Sequence, residues 1–255
     1  MLNVLCVAYA ALLGAAVGSF LNVCIARLPA GESVVTPRSR CPNCASQIRW
    51  FDNLPVLSYV WLGGRCRDCG ERISIVYPLV ELAGALIWGG AALLYGPEWK
   101  ALQAGVFVSL LLAIALIDAR HYLIPDVLSL GGLGAGLALS LLPGPPTPLT
   151  SVAGAATGFL ALFVVGWLGE KALRRPAMGA GDVKMMAMVG AFLGPTGALL
   201  TIFLGALLGS VIFGPISLKT KRLVPFGVFL ALGATVALVA GQALIGAYLR
   251  LVGLG

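Results

Sequence analysis

Long apolar stretches recur along the chain with little between them. Runs at 2–23, 77–95, 101–117, 127–142, 150–168, 183–193, 198–218 and 226–249 are almost free of charge. A helix needs about 20 mostly apolar residues to cross roughly 30 Å of hydrocarbon. The eight runs therefore predict an all-α polytopic membrane protein with about eight transmembrane helices. The sixth run is too short for a full crossing and reads as a shallow helix or one that begins inside the protein. Gly96-Pro97, Gly144-Pro145-Pro146 and Gly194-Pro195 punctuate the pattern, because proline lacks a donor and glycine is too flexible to carry a helix onward. The first run has no basic leading region and no small-residue cleavage site before a polar start, so it reads as a retained helix rather than a signal peptide.

Composition agrees with this pattern. Of 255 residues, 59% are hydrophobic and 11% charged, whereas a soluble domain carries about 25% charged residues to face water. The net charge of +7 raises the question of nucleic acid, and the distribution of charge answers it. With eight helices, one side of the membrane holds loops 24–76, 118–126, 169–182 and 219–225. Those loops carry Arg27, Arg38, Arg40, Arg49, Arg65, Arg67, Arg72, Arg120, Lys171, Arg174, Arg175, Lys219, Lys221 and Arg222. With Lys184 at the mouth of the sixth run, fifteen of the 17 basic residues lie on that side. Only Lys100 and Arg250 lie opposite. The positive-inside rule makes the basic side cytoplasmic and puts both termini outside an inner membrane, with the lipid bilayer rather than nucleic acid as partner. The tract from Lys219 to Arg222 reads as a topology determinant against anionic lipid, and the five tryptophans read mostly as interfacial anchors. The expected organisation is a first helix at 1–23, a cytoplasmic insert at 24–76 and a seven-helix membrane domain at 77–255. No low-complexity tract or convincing internal repeat is evident.

The insert is too small for an ordinary core and needs a staple. It contains Cys41-Pro42-Asn43-Cys44 and Cys66-Arg67-Asp68-Cys69. Each CxxC knuckle turns two thiolates towards one ion, and two knuckles complete a tetrahedral shell for structural Zn²⁺. The same spacing also occurs in disulfide or redox pairs, although a reducing cytoplasm argues against structural disulfides. Cys6 and Cys24 read as small packing residues.

The chain has only ten acidic residues, and an acid on a membrane helix is a functional candidate by default. Asp118 ends the third run, and Asp182 opens the sixth within Gly179-Ala180-Gly181-Asp182. In the expected topology both lie at the cytoplasmic boundary. Two carboxylates brought together can divide the roles of general base on water and general acid on a leaving group, as peptide hydrolysis requires. Asp118 paired with Arg120 at a helix end, and Asp182 as a helix N-cap, are the structural alternatives. The flanking glycines favour function, since they let an extended substrate approach the backbone. Asp126, after Pro125, reads as a helix cap. Glu81, about one turn into the second helix, must pair with an arginine or line a polar pocket. His121, the single histidine, reads as a solvated loop residue. A proton-coupled carrier would also use paired aspartates, but it needs polar groups along a path through the bilayer. The fourth, fifth, seventh and eighth runs offer few.

In order along the chain stand Gly18-Ser19-Phe20-Leu21-Asn22-Val23, Arg27-Leu28-Pro29, the two CxxC pairs enclosing Asn53-Leu54-Pro55, and Tyr77-Pro78-Leu79-Val80-Glu81. Asp118 with Ile124-Pro125-Asp126, Gly179-Ala180-Gly181-Asp182-Val183-Lys184 and Pro225-Phe226-Gly227 follow. Together these resemble the bacterial type IV prepilin peptidases (leader peptidase/N-methyltransferase), a family of GxGD-type aspartic membrane proteases. The resemblance implies that Asp118 and Asp182 are the catalytic pair and that prepilins and pseudopilins of pilus or type II secretion systems are the substrates. It further implies cleavage after a glycine at the cytoplasmic end of the pilin helix, followed by methylation of the new N-terminus with S-adenosylmethionine. The cysteine insert is what bifunctional members carry, so a peptidase without methyltransferase activity is the nearest alternative. Asn22, Arg27 and Glu81 are candidates for the methyl-donor site on polarity and placement.

Overall fold

The computed structural model describes residues 2–174, 178–220 and 224–253. Arg175, Lys221 and Arg222, and the side chain of Lys219, counted above among the basic loop residues, lie outside the described residues. The elements are α1 (Leu2–Arg27), α2 (Leu57–Trp61), α3 (Val76–Tyr95), α4 (Trp99–His121), α5 (Asp126–Leu139), α6 (Pro148–Leu173), α7 (Ala180–Thr220) and α8 (Phe226–Leu251). Six of them, all but α2 and α5, are long and apolar enough to cross a membrane. The number differs from the eight apolar runs for two reasons. The fourth run forms only the 14-residue α5. The sixth and seventh runs are two arms of α7, which bends at Gly194 where φ is 72° and ψ −178°. Pro195 follows, and its missing donor fits the break. The sixth run is thus a helix of its own, joined to the seventh through a non-helical glycine where the Gly194-Pro195 punctuation predicts a break.

The chain forms two compact units, Met1–Ser109 and Leu110–Gly255, with α4 passing from one into the other. In the first, α1 and α3 touch backbone to backbone. A Cβ on Gly14 would fall on the carbonyl of Gly84, and one on Gly18 would lie 2.7 Å from Glu81 Cα. Trp88, expected as an anchor, instead covers Gly105 and donates its indole N–H to Ser109 Oγ at 3.0 Å.

In the second unit α5, α6 and α8 pack on α7. Met185, Met186, Met188 and Val189 of α7 are fully buried. The closest approach is between α6 and α7. A Cβ on Gly154 would strike the Gly190 carbonyl, one on Gly158 the Met186 carbonyl, and Ser151 Oγ donates to the Ala191 carbonyl at 2.7 Å. In lipid, hiding apolar surface gives helices no advantage, so association rests on close van der Waals packing and small residues at the contact. The spacing small-xxx-small recurs as Gly14/Gly18, Gly132/Gly136 and Gly154/Gly158.

Gly154→Ala and Gly190→Ala are each expected to destabilise the protein by about 1–3 kcal/mol, because the new methyl meets backbone that cannot swing aside. Gly134→Ala on α5, with nothing within 4 Å, should be neutral or stabilise by up to about 1 kcal/mol through helix propensity. Unfolding midpoints in detergent compare the three.

Candidate functional site

Asp118 lies on the last turn of α4, which closes when Tyr122 takes a φ of 51° and its N–H bonds back to the Asp118 carbonyl at 2.9 Å. The side chain is only 5% exposed and does not pair with Arg120. Its Oδ2 accepts the Val228 N–H at 3.3 Å, from the first turn of α8. Gly227 makes this approach possible, since a Cβ there would lie 2.9 Å from both Asp118 Oδ2 and Ile124 Cδ1. Ile124 also packs on Gly181, whose own Cβ would lie 2.9 Å from it. Asp182, half-buried in the first turn of α7, is thereby brought alongside, within Coulombic range of Asp118. The end of α4, the following loop and the starts of α7 and α8 meet at this one place.

Asp182 is not the N-cap of α7, which begins two residues earlier at Ala180. Asp126, expected as a cap, is not the N-cap of α5 either: Pro125 holds that position and Asp126 is the first helical residue. Both of its carboxylate oxygens accept from Lys184 Nζ at 2.8 Å, tying the start of α5 to the start of α7 two residues past Asp182. Both partners are partly exposed, so the bond contributes only a few tenths to about 1 kcal/mol; what it fixes is position.

In the first unit the two knuckles close on each other. Cys41 and Cys69 Sγ are 3.8 Å apart, Cys44 and Cys66 Sγ 4.0 Å, and all four sulfurs lie within 4.8 Å of one another as free thiols. A tetrahedral zinc with bonds of about 2.3 Å sets its sulfurs about 3.8 Å apart, so the donor set fits that ion. The Ser46 hydroxyl and N–H hold the Cys44 thiol down at about 6, and the N–H groups of Cys69 and Asp68 lower Cys66. Cys69, lowered by the Glu71 N–H but raised more by desolvation and its neighbouring thiols, is pushed up to about 11. Thiolate is the form that binds metal. A repeat that the sequence reading missed is plain here: Arg40-Cys41-x-x-Cys44-Ala45-x-x-Ile48 returns as Arg65-Cys66-x-x-Cys69-Gly70-x-x-Ile73. Each copy turns through a positive φ, 58° at Ala45 and 70° at Gly70, and closes one isolated antiparallel bridge.

Beside the knuckles is a cavity of about 660 Å³, in the range of small-ligand sites. Asn22, Arg27 and Glu81, chosen from the sequence on polarity and placement, all line it, together with Tyr59, Tyr77 and the knuckle cysteines Cys41 and Cys66. Asn22 Nδ2 donates to the Tyr77 carbonyl at 3.0 Å, and Arg27 donates to the Ser33 carbonyl at 2.9 Å. Arg67 grips Asp52 with two bonds of 2.8 and 2.6 Å, which fasten the second knuckle to the turn Trp50–Asn53 and hold the Asp52 carboxyl below its ordinary range. Glu81 Oε2 accepts the Val56 N–H at 2.7 Å. Nothing in the sequence marked Val56. It has a φ of 62°, and Leu57 N–H bonds to the Pro55 carbonyl at 2.6 Å, the rare positive-φ γ-turn.

An all-helical membrane protein with a buried Asp118 and a half-buried Asp182 in one unit, and a thiol cluster beside a cavity in the other, is the class defined by fold and site. The model described as the Bacterial Peptidase A24 N-terminal domain matches residues 12–95, and that of the Type IV leader peptidase family matches residues 105–214. The chain is 38% identical over 272 aligned residues to the prepilin leader peptidase/N-methyltransferase of Pseudomonas aeruginosa, covering 95% of this chain and 93% of that one. It is 41% identical over 213 residues to the protein of the same name from Myxococcus xanthus, covering 84% of this chain and 64% of that relative. Against the type 4 prepilin-like proteins leader peptide-processing enzyme of Escherichia coli it is 37% identical, covering 86% and 88%. No solved structure matches. The chain belongs to the Type IV leader peptidase family.

Val56→Pro removes the N–H and forbids the φ, and is expected to raise amide exchange across residues 54–62 roughly tenfold or more. Val56→Gly keeps the donor and should change it less than about threefold. Hydrogen exchange read by mass spectrometry distinguishes them; equal protection in both would mean that the Glu81 bond does not hold this segment.

Proposed function

We propose that this chain removes the leader peptide of prepilins and pseudopilins as an aspartic endopeptidase of the inner membrane and then N-methylates the new first residue. The observation that carries the first activity is the convergence of Asp118 and Asp182 beside the glycines 179, 181 and 227. One carboxylate takes a proton from water as it attacks the scissile carbonyl, and the other gives a proton to the departing amine. The Val228 N–H orients Asp118, and the glycines leave room for an extended strand of substrate. The charge asymmetry of the loops supports a cytoplasmic site, which suits a substrate with a basic leader in water and an apolar helix in the bilayer.

The second activity is assigned to the insert at 24–76 and the helices α1 and α3 that carry it. Cys41, Cys44, Cys66 and Cys69 would hold a structural Zn²⁺. S-adenosylmethionine supplies an electrophilic methyl group when bound, and the cavity beside the cysteines has room for it. Tyr59 and Tyr77 offer aromatic faces, and Arg27 and Asn22 offer donors on the α1 side. Two of the four sulfurs belong to residues that also line the cavity, so the metal would fix its wall. Names of relatives that join the two activities support this reading.

Asp118→Asn and Asp182→Asn, each with folding intact, are expected to slow cleavage of a synthetic prepilin on the order of 10²–10⁴-fold. A variant that cuts at the wild-type rate removes that residue from the pair. Cys44→Ser or Cys66→Ser should lower zinc from about one ion per chain to a small fraction of that. The same variants should lose methyl transfer roughly tenfold or more, and cleavage by less. Metal analysis with both assays on one preparation gives all three values.

A further inference from the structure

We propose that Glu81 receives the cationic amine at the free N-terminus of a peptide whose first residue is apolar. This rests on the methyl-transfer reading of the cavity.

Four acids line the cavity, and three are accounted for. Asp52 is held by both arms of Arg67, and Asp68 and Glu71 are exposed to water. Glu81 is half-buried about one turn inside α3, and an acid on a membrane helix is a functional candidate. Among the described residues it forms no ion pair, and its one recorded partner is the Val56 N–H. That bond uses a single oxygen.

The surroundings hold the carboxylate still. The Glu81 backbone lies against Gly18, where a Cβ would come within 2.7 Å of both Glu81 Cα and the Val80 carbonyl. Its hydrogen-bond donor, Val56, sits in a γ-turn whose positive φ of 62° strains a β-branched residue. The turn is kept in place by Leu54 N–H to Ser58 Oγ at 3.0 Å and Ser58 Oγ to the Phe51 carbonyl at 2.9 Å. Strain retained around a fixed charge is a mark of a binding site.

The cavity is also graded. On the α1 and α3 side the apolar Ala16, Phe20, Val23 and Pro78 stand among the polar Ser19, Asn22 and Arg27, whereas the knuckle side presents Arg40, Arg67, Asp68 and Arg72. Glu81 belongs to the α1 and α3 side, where the apolar patch lies. A peptide N-terminus with an apolar first side chain matches that end, with its ammonium on Glu81 and its side chain among the α1 residues. A polar methyl donor matches the other end, although its own ammonium is the competing cation for Glu81.

The test uses full-length protein in detergent and a peptide beginning with phenylalanine, with either a free or an acetylated N-terminus. Binding of each peptide and of S-adenosylmethionine is measured without turnover, followed by KM and kcat for methyl transfer. The expected result is that wild type prefers the free amine roughly tenfold or more. Glu81→Gln should abolish this preference and raise the peptide KM, Glu81→Asp should restore part of it, and donor affinity should stay within about threefold. Equal binding of the two peptides by wild type overturns the proposal without reference to any variant. So does a Glu81→Gln protein that loses donor affinity while keeping its preference for the free amine; the carboxylate then serves the donor. A wild type that transfers no methyl yet binds the free amine through Glu81 would overturn the methyltransferase reading and leave this assignment standing.

Discussion

Helices in both units meet backbone to backbone at glycine, and much of the remaining architecture depends on that contact. Gly14 and Gly18 of α1 lie on α3, and Gly154 and Gly158 of α6 lie on α7. Lipid provides no hydrophobic drive for these pairings, so closeness of fit is what holds them. The same contacts set the depth of the chemistry. Gly18 fixes the Glu81 backbone, and Gly181 and Gly227 admit Ile124 and the Asp118 carboxylate. Even small side chains at these glycines would move the groups that give the sites their chemistry.

Around that frame a few polar bonds act as local ties. Asn22 joins α1 to the first turn of α3, Val56 joins the insert to Glu81, and Arg67 joins the second knuckle to the turn before α2. In the second unit the Val228 amide and the Lys184–Asp126 pair do the same at the starts of α8 and α7. Singly these ties add little to stability, the exposed ones least. Their value lies in direction: they aim side chains that an apolar bundle alone would leave undirected.

The residues that sequence reading found share a feature. Asp118, Asp182, Glu81 and the four cysteines are chemically out of place in an apolar chain or carry a spacing that suits a shared ion. The residues it missed are chemically plain. Val56 gives no sign of its positive φ, because that follows from the hydrogen bond to a glutamate 25 residues away. Trp88 resembles an anchor until its partner Ser109 is seen. The α6 and α7 glycines have a readable spacing, but the spacing does not say which helix lies opposite. The twofold relation of the knuckles was written in the sequence as a short repeat and was simply overlooked.

By itself the sequence determined the all-helical membrane architecture, the placing of the insert, its four-cysteine cluster and the two acids at helix ends. Hydropathy and residue chemistry are local properties, and a bilayer makes local apolarity decisive. Only the tertiary structure decided that Asp126 is tied to Lys184, and that Asn22, Arg27 and Glu81 share one cavity. Those outcomes depend on which helix faces which, and that is fixed by steric fit between residues far apart in the chain.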